Sequence, residues 1–192
     1  MTQLTSDVKK ISSYLTKKQK DFDTVMDASR SIIREASHAI TALHNNDMKA
    51  AQKGIKLTQA HVTKLKKFDV QFEYYTRQAY QEYAEARLFF EIKKGNRILS
   101  QQQINVSPEA YLLGLMDVMG ELKREILEEL REGNPKSAER YYEKMKTIYD
   151  GTRSLRFAEA VLNGFRKKQD VARIQIESAG SEILSFKNSR HR

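Results

Sequence analysis

Cysteine and tryptophan are absent from the 192-residue chain, and proline occurs only twice. Without cysteine there can be no disulfide framework and no thiolate metal site. A bound metal would have to rely on carboxylates or histidines, and carboxylate oxygens suit hard cations. Two prolines and 8 glycines leave long stretches unbroken. Those stretches are rich in Ala, Leu, Glu, Lys, Arg and Gln, which favours helix over sheet. No apolar run approaches the ~20 residues of a membrane span. The opening MTQLTSDVKK lacks the apolar core of a signal peptide. A cytoplasmic protein is expected, with no membrane partner. There is no P-loop, dinucleotide fingerprint or nucleophile elbow, and His38, His44, His61 and His191 form no HExxH-type ligand pair.

What the chain does have is helical periodicity. Ile11, Leu15, Phe22, Val25, Ile32, Ala36, Ile40 and Leu43 follow spacings of three, four and seven, which predicts one long helix from about Ser6 to Leu43. A second is expected from Met48 to Phe68, capped by Asp47, and a third from Asp69 to Gly95-Asn96. Arg97 to Val106 reads as a loop. Ser107-Pro108-Glu109 opens a fourth helix that Gly133-Asn134 stops, and Pro135 opens a fifth that reaches Asp150. The remainder, Arg153 to Phe186, reads as two further helices hinged near Gly164, the first using Leu155, Ala158, Val161 and Leu162. Val171, Ile174, Ile183 and Phe186 serve the second. The basic tail KNSRHR is expected to fray. The expected fold is all-α: a single domain over residues 1–192, an antiparallel bundle of six or seven helices.

Lys and Arg number 34 against 25 Asp and Glu, a formal charge of +9. Such a surface suits polyanions such as RNA or DNA, although a merely basic protein would share it.

Within the fourth helix, YLLGLMDVMGEL (Tyr111 to Leu122) is nearly all apolar or small, yet carries Asp117 and Glu121. Four residues apart, they share a helix face. A carboxylate in an apolar setting is costly unless paired, protonated or bound to a metal. Glu82 and Glu85 lie three apart on the third helix and can point into one space. Two neighbouring helices can project such pairs toward each other, as in carboxylate metal sites of helical bundles. Four carboxylates select Mg²⁺, with Mn²⁺ as the alternative ion, rather than zinc. Arg124, seven residues beyond Asp117, is a candidate phosphate contact, or else the partner of Glu121 or Glu128. Spacing alone leaves open whether the two acid pairs face each other.

The chain resembles the translin family, and within it the translin-associated factor X branch. QEYAEA (Gln81 to Ala86) resembles that branch's first acidic motif, and YLLGLMDVMGEL its second. Tyr149-Asp150-Gly151 resembles a downstream YDG turn, and the segment from Ser29-Arg30 to Leu43-His44 resembles the family's first helix. The resemblance implies an antiparallel helical bundle whose subunits close into an octamer around a cavity. It also implies a Mg²⁺-dependent endoribonuclease site for single-stranded RNA, built from Glu82, Glu85, Asp117 and Glu121. The translin type, by contrast, implies a non-catalytic binder of single-stranded RNA and DNA that lacks this acidic set. The chain has neither a long N-terminal extension nor a long insertion between the third and fourth helices. In this it resembles compact archaeal members, and a homo-oligomer is expected.

Overall fold

The computed structural model describes residues 2–95 and 97–189. Among them are seven α-helices and no strand: α1 (Gln3–His44), α2 (Met48–Leu65), α3 (Asp69–Gly95), α4 (Gln101–Ile104), α5 (Pro108–Arg131), α6 (Pro135–Thr152) and α7 (Phe165–Ser189). A 3-10 turn, Lys66–Phe68, links α2 to α3, and α3 is kinked at Phe72. The loop expected after α3 contains the short α4, opened by a Ser100–Gln103 capping box. Ser107 and Asp47 cap α5 and α2 as their side chains predict, accepting from the amides of Ala110 and Ala50.

Consecutive helices α1 and α2, α5 and α6, and α6 and α7 pack together, and the short turns at Asn45–Asp47 and Glu132–Asn134 make the first two pairs antiparallel. The crossover through α4 has a different result. Gln81 reaches Asp117 and Lys93 reaches Glu125, so α5 runs alongside α3 in the same direction. Lys93 also reaches the Leu43 carbonyl and Ser29 reaches that of Tyr75, which aligns α1 with α3 in the same way. α3 and α5 therefore form the middle of the bundle. They carry Tyr83, Phe89, Leu88, Met119, Leu122 and Ile126, all essentially without solvent exposure.

α3 and α5 approach each other closely at Gly114. A Cβ there would lie 2.8 Å from the Cβ of Ala84, 3.0 Å from the Glu85 nitrogen and 3.1 Å from the Gln81 carbonyl oxygen. Two of those neighbours are backbone and cannot rotate away. Gly114→Ala is therefore expected to lose up to ~2 kcal/mol of stability in urea unfolding. Overpacking costs ~1–3 kcal/mol, and the better helix propensity of alanine returns only ~1 kcal/mol. A gain in stability would show that the two helices are free to separate here.

Two stretches differ from the sequence expectation. Arg153 to Gly164 is a chain of turns rather than a helix. The buried Gln169 amide donates to the carbonyls of Thr152 and Leu155, and Arg156 donates to those of Arg153 and Leu155. Side chains thus occupy carbonyls that a continuing helix would need, and Gly164 enters α7 at φ +76°. Val161 is exposed accordingly, as are Val171 and Ile174. The inward stripe of α7 keeps the expected Ile183 and otherwise runs through Phe165, Gln169, Ala172, Ile176 and Ala179.

The second difference is in α1. Its apolar stripe runs the whole predicted length, but only from Val25 onward does it enter the core, through Val25, Ile32, Ala36 and Leu43, with Ile40 half-buried. Phe22 meets Phe72 and Tyr75 at the start of α3. Before that point Leu4, Val8, Ile11 and Leu15 are all more than half exposed. At the other end of the chain α7 is helical to Ser189, and the rest of the tail, Arg190 to Arg192, lies outside the described residues, as does Asn96.

Candidate functional site

The four acids lie on the facing sides of α3 and α5. Glu85 is buried, and Glu82, Asp117 and Glu121 are half-buried. Burial pushes the Glu85 carboxyl up from its ordinary 4.5 to about 9, and repulsion from Asp117, Glu82 and Glu121 adds to this. Glu82 is also raised, first by burial and then by the charge of Asp117. The two pairs therefore sit in one electrostatic neighbourhood, which spacing had left open. Crowded carboxylates that cannot all ionise are a frequent signature of functional sites.

The side chains do not, however, converge on one point. Asp117 turns toward α7, where Lys168 forms a short ion pair with one oxygen, while the Gln81 amide donates to the other at 2.6 Å. Glu121 turns toward the end of α1 and binds His44 Nε2. Among the described residues no three His, Asp or Glu side chains come close enough together to hold a metal ion. The donor set suits a hard cation in kind and in charge, since added positive charge would relieve the repulsion that adds to burial in keeping Glu85 protonated. Its assembly would require Asp117 to leave Lys168 and Glu121 to leave His44.

Behind Glu121 lies a second, fully enclosed charge cluster. His44 Nδ1 meets Glu125 Oε1 at 2.8 Å, and Lys93 Nζ donates to Glu125 Oε2 at 2.7 Å and to the Leu43 carbonyl at 2.6 Å. Both ring nitrogens of His44 thus face carboxylates, so both donate and the ring is an imidazolium. Burial works against that charge, but the hydrogen bonds to Glu121 and Glu125 outweigh it and raise the His44 pKa. Burial alone would raise Glu125, and His44 and Lys93 reverse this and hold it low. The cluster ties the C-terminal ends of α1 and α3 to α5.

Sequence reasoning missed His44, Lys93, Glu125 and Lys168. One signal was available: Asp117, Glu121 and Glu125 repeat every four residues along one face. Arg124 is exposed and makes no ion pair among the described residues. Glu128 pairs with Arg131 instead. Arg124 is close enough to His44 for its charge to oppose the imidazolium.

Fold and site define an all-α bundle whose two central helices present paired carboxylates to each other. The translin family profile matches residues 1–179, and the chain belongs to that family. It is 32% identical over 180 residues to an uncharacterised protein of Methanocaldococcus jannaschii, covering 91% of this chain and 80% of that one. Its fold is similar to a solved structure of AfC3PO with duplex RNA, at TM-score 0.90, 27% identity and coverage of 97% of this chain and 99% of that one. A further crystal structure of AfC3PO gives TM-score 0.88 and 28% identity, covering 97% and 100%. The apo-NeC3PO structure, at TM-score 0.79, 24% identity and 97% and 98% coverage, agrees in fold.

Proposed function

We propose that the protein is a Mg²⁺-dependent endoribonuclease acting on single-stranded RNA, with Glu82, Glu85, Asp117 and Glu121 as the ligands of the ion. The observation that carries this is the crowding of four carboxylates between α3 and α5, with Glu85 driven to about 9. Similarity to a protein solved with duplex RNA supports an RNA ligand. A bound Mg²⁺ would supply charge for the phosphodiester and lower the pKa of a water. The chain's own residues do the rest. Gln81 orients Asp117 through its amide, and His44 and Glu125 hold the lower end of α5 in register. Lys168, once released from Asp117, becomes a cation beside the site. The half-exposed stripe of Leu4, Val8, Ile11 and Leu15 supports a homo-oligomer, which the resemblance makes an octamer.

One observation favours a second reading, a shell that binds single-stranded RNA or DNA without cutting it. Asp117 and Glu121 already have partners, Lys168 and His44. Labelled single-stranded RNA separates the two. Wild type with Mg²⁺ should cut it internally, EDTA should stop the cutting, and Glu82→Ala or Asp117→Ala should slow it by on the order of 100-fold or more, since even supporting residues of metal sites cost ~10–100-fold. RNA retained intact by wild type in Mg²⁺ would leave the binding shell.

A further inference from the structure

A cavity unconnected with the four acids lies between the end of α6 and the first two turns of α7. It has a volume of about 180 Å³ and is lined by Tyr149, Arg153, Arg156, Arg166, Gln169, Asp170 and Arg173. Four of the lining residues are arginines, and one, Asp170, is an acid.

The arrangement is built rather than accidental in its backbone. Gln169 is buried, and its amide donates to the carbonyl of Thr152 at 2.7 Å, which anchors the turn after α6 against α7. Arg156 is fixed by two bonds of 2.7 Å to the carbonyls of Arg153 and Leu155. Arg166 and Arg173 lie seven residues apart on α7, on one face two turns long. Arg153 pairs with Asp150 at 3.5 Å and Arg173 with Glu177 at 3.3 Å, but all four of these side chains are at least half exposed, and such pairs are weak and readily exchanged. Arg166 makes no ion pair among the described residues. The planar fork of arginine matches the oxygens of a phosphate in a way that lysine does not.

We propose that this cavity is a phosphate-binding pocket, in which Arg166 and Arg173, with Arg153 and Arg156 opposite, grip a phosphate group of an RNA strand. The choice of RNA rests on the proposed RNA ligand, whereas the phosphate chemistry stands on the cavity itself. The same chemistry would take the phosphate of a free small molecule, so the test has two arms.

The doubly substituted Arg166→Gln/Arg173→Gln protein alters exposed side chains only, and an unchanged unfolding midpoint checks that it folds. In EDTA, where no cutting occurs, its affinity for single-stranded RNA should fall roughly tenfold, and the slope of log affinity against log salt should shrink by about 1 to 2. Pyrophosphate binding, followed by calorimetry, should be lost in parallel. Arg166→Lys/Arg173→Lys should recover only part of either. If pyrophosphate binding is lost while RNA affinity and salt slope stay at wild-type values, RNA is overturned as the source of the phosphate. If neither changes, the pocket itself is overturned. Should wild type bind no RNA at all, the RNA reading fails, and the pyrophosphate arm still decides the pocket.

Discussion

Glu85→Gln should make the protein more stable while ending metal-dependent cleavage. Glu85 is 8% exposed, and burial, reinforced by Asp117, Glu82 and Glu121, holds its pKa at about 9 against an ordinary 4.5. Below pH 4.5 the carboxyl is protonated in both folded and unfolded chains and contributes nothing to the balance. Between 4.5 and about 9 the unfolded chain releases the proton and the folded chain keeps it, so each unit of pH favours unfolding by ~1.4 kcal/mol. At pH 7 that penalty is on the order of 3 kcal/mol. Glutamine has nearly the shape of the protonated acid and carries no such penalty. The gain in unfolding free energy should therefore be near zero at pH 4.5, grow through neutral pH and level off near 9. Equal gains at pH 5 and pH 8 would mean that Glu85 titrates normally and that the acids do not crowd one another. A site that costs stability in this way is what function, rather than packing, retains.

Glu125→Leu should cost ~3–5 kcal/mol, as much as emptying a large core position. The side chains of Glu125 and Lys93 are 5% and 8% exposed, and the substitution leaves Lys93 charged and buried with no carboxylate, keeping the Leu43 carbonyl and the face of the Phe89 ring. His44 loses one of its two carboxylates as well. The penalty comes from the stranded cation, not from the worth of the pair. Lys93→Met combined with Glu125→Leu should accordingly recover most of the loss, to within ~1–2 kcal/mol of wild type. Denaturant unfolding of both singles and the double gives the coupling. Losses that simply add would show that the two charges act independently. Because Glu125 also holds His44, and His44 holds Glu121, the single variant should disturb the acid face too.

The long helices were legible because their punctuation is local. Asp47 and Ser107 cap, Pro108 and Pro135 open and Gly133 closes, each acting on amides or carbonyls within a turn. The turn region Arg153 to Gly164 was not, since its apolar residues keep helical spacing. What breaks the helix there is Gln169, a side chain from the next element. The half-exposed start of α1 shows the converse: a stripe marks a face that can be buried, but not whether a neighbour reaches it. At the site, the two acid pairs could be named from motif and spacing. Their partners could not, because His44 and Glu125 stand 81 positions apart and Lys168 and Asp117 stand 51 apart. Only the stacking of α1, α3, α5 and α7 brings them together.

The central claim is that the carboxylates between α3 and α5 are metal ligands held in reserve by Lys168 and His44. Crystals soaked in Mn²⁺ test it most directly, through the anomalous signal of the ion. The account predicts a peak between α3 and α5 within bonding reach of Glu82, Glu85, Asp117 and Glu121, with Lys168 withdrawn from Asp117 and His44 from Glu121. Saturating Mn²⁺ that leaves the Asp117–Lys168 and Glu121–His44 pairs intact, with no peak between the helices, would contradict it.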